Sequence, residues 1–349
     1  MTKYTTEQFK IITFARQSMA RDILKTDSQS IEACMIRRQY GQIAVRVDDV
    51  GNNKVRLGGL QHCKNIWACP VCSLTISARR RALLAKLITF ERKAGHSVAM
   101  ITYTIAHSRI MSLADVVKQV KQAHKKFHSG KAWQSRAKRL GWRGSVVASE
   151  VTYSARNGWH FHLHELAVFK FAVHNITDRS KHFLNWRQRW QSTVSSVGGS
   201  CSRNIGINIR LAYGDVNDYV GKWGLVPELV GKGLKEARQG GMQPFQMLDL
   251  YLSGNDAERA NMRALYREYY LGTVGLRQLQ PSPQFKHYMV EEQTAENEPL
   301  EPLAMLDSEL WFYIWTNNLR AELLNAGNSG FLHKWLGDTI SKMEKAYKK

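Results

Sequence analysis

The sequence predicts an α+β protein: a central antiparallel sheet flanked by helices, preceded by a cysteine-rich segment and followed by a helical C-terminal region. Three observations predict it. The runs "SVAMITYTIA", "GSVVASEVTY" and "WHFHLHELAVF" alternate apolar and polar residues, the period of a half-buried strand. Basic stretches with helical spacing separate them. Cys63, Cys69 and Cys72 cluster within "HCKNIWACPVC", ahead of the strands.

The elements follow in order. Residues 1–30 read as a basic amphipathic helix; the start lacks the long apolar block and small-residue cleavage site of a signal peptide. Residues 31–75 hold the cysteines and a hairpin, Ile43–Val47 with Val55–Leu60, joined through a Gly-Asn-Asn loop. A basic helix over 76–95 closes at Gly95. Residues 97–226 form one unit: strand 97–106, a basic helical stretch Leu113–Arg139, and a hairpin turning at Ser154–Gly158. A helix from about Asp178 to Ser196, the strand "GINIRLA" and a helix holding Asp215–Trp223 complete it. The implied segments are 1–95, 96–226, a helical extension 227–290, an acidic Pro-containing linker 291–303, and C-terminal helices 304–349 with an aromatic face.

Charge narrows the partners. The chain of 349 residues carries a net charge of +21, an excess that attracts phosphate backbones or anionic membrane. No run approaches the roughly 18 apolar residues of a membrane helix, so nucleic acid is the better reading. Within Lys118–Arg139, the side chains Lys125, Lys126, Arg136, Lys138 and Arg139 are candidate phosphate contacts. Phe127 and Trp133 are candidates to stack bases; a merely solvated charge face competes evenly.

The cysteines are odd in number and clustered, which points to a reducing compartment and a metal site rather than disulfides. Cys69-Pro-Val-Cys72 has the spacing of a zinc knuckle, and Cys63 is close enough to join. Cys34, before the hairpin, is the preferred fourth ligand and His62 the second choice; four protein ligands make the zinc structural.

His160, His162 and His164 alternate after the Asn157-Gly158 turn signal, so they share one strand face. A hairpin centred near Arg156 sets Glu150 opposite His162, Thr152 opposite His160 and Ala148 opposite His164. A carboxylate among imidazoles suits a divalent cation with open positions: manganese, magnesium or zinc. The plainer alternative is an ion pair between Glu150 and a protonated histidine. Asp215, Tyr219 and Lys222 lie on one helical face at i, i+4 and i+7, unusual for a core stripe.

These motifs occur in a telling order. "MITYTIAH", "WHFHLHELAVF" and "DYVGKW" resemble the three motifs of rolling-circle replication initiator (Rep) proteins of small bacterial plasmids and related phages, members of the HUH endonuclease superfamily. "CKNIWACPVC…ISARRR", "EVTYSARNGWHFHLH", "PFQMLDL" and "GTVGLRQL" resemble segments of one such plasmid family, from about Cys34 to Lys286. The resemblance implies an HUH-type nuclease core. His162 and His164 match the metal-binding pair, His160 is the extra family histidine, and Glu150 matches an acidic position read as the third ligand. Tyr219 matches the nucleophile that leaves a 5′-phosphotyrosine and frees a 3′-OH primer, and Lys222 would steady the same phosphate. Some relatives carry a second tyrosine one turn away, others a glutamate at −4. Here Asp215 takes that place with a shorter side chain, and Phe161 replaces a proline common between the first two histidines.

The implied cofactors are Mn2+ or Mg2+ at the histidines and Zn2+ at the cysteines. The implied partner is origin DNA, double-stranded for recognition and single-stranded at the nick, in the bacterial cytoplasm. No phosphate-binding G-x-x-x-x-G-K-[ST] loop is present, so unwinding falls to a host helicase and extension to a host polymerase. The aromatic C-terminal helices are candidates for homodimerisation or helicase recruitment. Competing readings are an HUH transposase or relaxase, a non-catalytic zinc-containing DNA-binding protein, and a metal hydrolase unrelated to DNA.

Overall fold

The computed structural model describes residues 6–52, 54–170, 181–202, 206–211, 241–289, 302–328 and 330–347. The chain divides into two compact units, Met1–Ser73 with Glu292–Lys349, and Leu74–Glu291. The first joins the two ends of the chain, which the sequence reading keeps as separate segments.

In the first unit, α1 (Thr6–Leu24) and α2 (Gln29–Ala33) precede the hairpin of β1 (Val45–Asp49) and β2 (Val55–Gly58). A third strand, Pro302–Leu306, pairs antiparallel with β1, giving a three-stranded sheet with β1 in the centre. Here the linker reading is corrected: Pro302 and Leu303 open a strand. Proline is tolerated at the edge because it donates no ladder hydrogen bond. Asp48 on β1 is fully buried and held by Arg46 Nε at 3.1 Å and Arg56 Nε at 3.4 Å. Three helices follow: Ser308–Thr316, Arg320–Asn328 and Leu332–Tyr347. The Arg320–Asn328 helix packs on α1 and β2, where Lys10 Nζ donates to Asn325 Oδ1 at 2.8 Å and Val55 N to Asn328 Oδ1 at 2.9 Å.

α3 (Pro70–Lys93) begins six residues before the expected 76, because Pro70 supplies a preset φ at its first position. It stops before Gly95, whose φ is +79°.

The second unit is built on β3 (Ser97–Tyr103), β4 (Trp142–Ser154), β5 (Gly158–Phe169), β6 (Ile207–Leu211) and β7 (Leu279–Pro281). They form one antiparallel sheet in the order β6-β3-β5-β4-β7. The β4–β5 register pairs Glu150 with His162, Thr152 with His160 and Ala148 with His164, the pairing the alternation predicts. Gly158 turns this hairpin at φ +77°, and a Cβ there would lie 2.9 Å from Arg109 Cα, so glycine is required twice over.

The two sheet faces are covered differently. On one, Leu166 and Val168 of β5 pack with Val98, Val146 and Ala148 against Leu84, Leu87 and Ile88 of α3. The strand histidines continue this same face. On the other, α4 (Leu113–Phe127) lies against β5 and against α6 (Lys181–Ser195). The Ser112 side chain caps α4 by accepting from Asp115 N, and Leu113, Val116, Val117, Val120, Ala123 and Phe127 form its buried stripe. The expected continuous helix Leu113–Arg139 is instead two. α4 ends at Phe127, Gly130 takes φ +80°, and α5 (Gly130–Arg139) starts anew. Two further helices, Pro244–Ser253 and Asp256–Thr273, complete the unit where the sequence expects helical extension.

Candidate active site and cysteine centre

The cysteine centre forms from three short segments. After Cys34, Met35 N donates to Gln61 O at 2.8 Å and Gln61 N to Arg37 O at 2.8 Å, so the chain returning from the hairpin runs beside residues 35–39. Asn65 Oδ1 then accepts from Ala68 N at 2.8 Å, turning the chain into α3 with Cys69 just before it and Cys72 in its first turn. The sulfurs lie 3.7 Å (Cys34–Cys69), 3.6 Å (Cys34–Cys72) and 3.6 Å (Cys63–Cys72) apart. A tetrahedral zinc with Zn–S bonds of about 2.3 Å has S–S edges of about 3.8 Å, so the four thiols have the spacing of a zinc centre. Cys34, Cys63, Cys69 and Cys72 thus form a four-sulfur set; His62 hydrogen-bonds Cys72 from outside it. Hydrogen bonds from the other three thiols hold Cys72 well below the ordinary thiol range, while its bond to Cys34 and burial push Cys69 well above it.

Charge around this centre is matched from the C-terminal segment. Arg320 is fully buried, donates from Nη1 to Gln17 Oε1 at 2.8 Å, and has no hydrogen-bond partner for Nε or Nη2. Gln17 in turn donates to Cys34 O at 3.2 Å. Burial and then Arg21 lower the guanidinium to about 10, and the Cys34 and Cys69 charges oppose that. Four thiolates around Zn2+ would carry a net −2, and the buried Arg320 guanidinium would offset part of it.

The histidine strand is organised by β3. Thr102 pairs with His164 in the β3–β5 register, and its Oγ1 lies 3.0 Å from His164 Nδ1. His164 Nε2 lies 2.7 Å from Glu150 Oε2, and His162 Nε2 lies 4.0 Å from the same oxygen. His160 lies between the site and β3: its Nε2 meets Thr104 Oγ1 at 2.9 Å, and its ring lies 4.0 Å from that of His162 and stacks on His107 with centroids 4.5 Å apart. Burial, then the charge of neighbouring histidines, lowers His160 to about 3; burial, against the pull of Glu150, lowers His162 to about 4. Both are neutral imidazoles at pH 7 with a lone pair to offer. Burial raises Glu150, but the His164 hydrogen bond and the histidine charges outweigh it and bring the carboxyl down to about 2. With His160 and His162 neutral, the His164 hydrogen bond is what persists at pH 7. Thr102, Thr104 and His107 all lie in "MITYTIAH", whose individual roles the sequence reading leaves unassigned.

Tyr219, Asp215 and Lys222 lie outside the described residues. Lys125, Lys126, Lys138 and Arg139 are exposed and Arg136 is half-buried, on the sheet face opposite the strand histidines. Lys126 and Arg136 share an open cleft with Arg189, Asn185 and Gln188. The expectation that Phe127 and Trp133 stack bases is corrected. Both are buried, 0% and 9% exposed, and pack on each other with centroids 5.8 Å apart.

With that geometry in view, similarity to known proteins is informative. Residues 54–196, which span the knuckle, the basic helices and the histidine hairpin, match the family described as Replication protein. The match covers less than half of the chain. The chain is 25% identical over 244 residues to "Protein rep" of Streptomyces lividans, covering 54% of this chain and 53% of that one. It is 24% identical over 167 residues to "Neomycin resistance protein" of Streptomyces cyanogenus, covering 38% of each. The matches thus span about half, or less, of these relatives' length. No solved structure matches significantly. The matched segment contains Glu150 and all three strand histidines. No helix among the described residues is long and apolar enough to cross a membrane.

A second imidazole cluster was missed by sequence reasoning. His124, His128 and Glu165 bring their ligand atoms within 4.8 Å of one another. The legible signal was His-x-x-x-His on a helix, which places both rings on one face.

Proposed function

We propose that this replication initiator acts by rolling circle. Through an HUH-type nuclease core it binds its origin and nicks and rejoins single-stranded DNA. The observation that carries the reading is Glu150 converging with His164 and His162 on one sheet face inside the segment that resembles replication proteins.

Two imidazole nitrogens and a carboxylate oxygen suit a divalent cation such as Mn2+ or Mg2+, so the residues present fit the group. When bound, the cation would polarise the scissile phosphate and offset charge in the in-line transition state. Thr102 Oγ1 fixes the ligating role of His164. In the metal-free chain Nε2 holds the proton bonded to Glu150; a cation would displace it, and the ring's remaining proton would sit on Nδ1 and be donated to Thr102, leaving the Nε2 lone pair to ligate. Glu150, ionised at pH 7, supplies the anionic donor. His160, held by Thr104 and His107, lines the site and is positioned to contact DNA.

In this reading the Tyr219 oxygen attacks phosphorus and the P–O3′ bond breaks. A 5′-phosphotyrosine forms, and the phenolic proton passes through Asp215 or water to the departing 3′-oxygen. The freed 3′-OH primes a host polymerase behind a host helicase. Lys222 steadies the phosphate oxygens, and Asp215 orients water or the incoming hydroxyl for the terminating step. Lys125, Lys126, Arg136, Lys138 and Arg139 hold origin phosphates away from the scissile one, since their helices lie across the sheet from the histidines. The four cysteines hold a structural zinc, which fits a reducing cytoplasm.

The test mixes the purified chain with end-labelled single-stranded fragments of its own replicon and Mn2+ or Mg2+, with and without EDTA, on a denaturing gel. A metal-dependent nick with a covalent protein–DNA adduct, lost in Tyr219→Phe, is expected. Binding without cleavage under any divalent metal would leave a non-catalytic zinc-bearing DNA-binding protein.

A further inference from the structure

Glu165 follows His164 on β5 and therefore points to the opposite face of the sheet, where α4 covers it. It is 1% exposed. Its Oε2 gathers three groups: Tyr103 Oη at 2.9 Å, His128 Nε2 at 3.1 Å and His124 Nε2 at 3.4 Å. Among the described residues no lysine or arginine pairs with this buried carboxylate.

The geometry of His128 is the telling part. Its Nδ1 lies 3.1 Å from the carbonyl oxygen of His124, one turn back on α4, so Nδ1 carries the proton and donates it there. In the neutral ring Nε2 is then an acceptor. It faces another acceptor, Glu165 Oε2, and it is buried without a hydrogen bond. Positive charge must lie between the two lone pairs, supplied either by a second ring proton, which makes an ion pair, or by a metal ion, and the second imidazole of His124 on the same carboxylate oxygen favours the metal. A ring nitrogen oriented by its other N–H on a backbone carbonyl is the usual arrangement of a metal-bound histidine. The two edges to Glu165, 3.1 and 3.4 Å, are near the roughly 3.3–3.4 Å edges of tetrahedral zinc with bonds of about 2.0–2.1 Å, and all three ligand atoms lie within 4.8 Å of one another. Histidines at i and i+4 on a helix, with one carboxylate from elsewhere, form a known zinc ligand set.

We propose that His124, His128 and Glu165 form a second zinc site, pinning α4 to the back of β5. Tyr103 donates to the second lone pair of Glu165 Oε2 and fixes the carboxylate, and water takes the fourth position. The site is separate from Glu150, His162 and His164, which lie across the sheet, and it does not depend on the nicking reading.

The test is zinc content and zinc X-ray absorption of the full chain in the His162→Ala background, which disables the strand site, after dialysis against a small excess of zinc. Two zinc ions per chain are expected, with a shell mixing sulfur with nitrogen and oxygen. His128→Gln or Glu165→Gln should lower the count to one, all-sulfur, with the circular dichroism spectrum retained. One zinc per chain with an all-sulfur shell before any change at His128 would overturn the proposal. So would a second zinc that survives both variants. Should a variant fail to fold, the absorption spectrum of the His162→Ala chain still decides the question.

Discussion

The cysteine centre and the histidine strand differ in how many donors they commit and in where those donors originate. The cysteines bring four sulfurs from three segments, 34, 63 and 69–72, and Cys34 and Cys69 are fully buried. Four sulfurs on one zinc would leave no position for a substrate, so in the proposed reading this centre holds chain to chain. The strand site brings Glu150, His162 and His164 from one hairpin whose register already aligns them. It leaves positions open, as a site that must accept a phosphate requires. Local pairing thus assembles the proposed nicking site, and long-range return of the chain assembles the proposed zinc centre.

The largest effect that would sharpen this contrast is at Cys72. Cys72→Ser should cost the zinc and most of its folding energy, on the order of 10 kcal/mol for a structural site. Bound zinc and the thermal melt report it, and an unchanged melt would end the structural role. His162→Ala should do the reverse. Nicking should fall roughly 10³-fold or more while the melt stays within about 1 kcal/mol, because the lost term is several kcal/mol of transition-state stabilisation. A large loss of stability there would make the strand histidines structural too. Thr102→Val removes only the partner of His164 Nδ1. A roughly 10–100-fold weaker apparent Mn2+ affinity is expected, with activity recovered at high metal, read from nicking against Mn2+ concentration.

A further effect is on acid stability. His160 and His162 titrate near 3 and 4 in the metal-free fold, below about 6.5 in the unfolded chain. Above pH 6.5 both states leave them neutral and the stability is flat. As pH falls below that, only the unfolded chain takes the protons. Stability should then drop by up to about 1.4 kcal/mol per pH unit per histidine until the folded values are reached. Denaturant melts of His160→Asn and His162→Asn between pH 7 and 4.5 should show a shallower slope than wild type.

Much of the site was legible because its geometry is local. Strict alternation at His160, His162 and His164, with a turn at Asn157-Gly158, fixes a face and a register without any long-range information. Cys69-x-x-Cys72 is legible for the same reason, since one helical turn sets it. Other features were not. Leu113–Arg139 looked like one helix because basic residues continue through it, and a left-handed glycine at 130 breaks it. Phe127 and Trp133 looked like stacking platforms because aromatic rings serve cores and nucleic acids alike. Pro302 and Leu303 looked like linker because an edge strand needs a partner that sequence does not display.

The amino-acid order by itself determined the charge of +21, the strand periods and the histidine face, the last two being properties of neighbours within a few residues. Only the tertiary structure decided that Arg320 serves the cysteine centre, that β1 lies between β2 and a strand from the far end of the chain, and that Glu165 meets His124 and His128. Those depend on which faces are buried together. A carboxylate one residue from His164 reads the same in sequence whether it faces solvent or two imidazoles. Burial then decides whether it needs a cation.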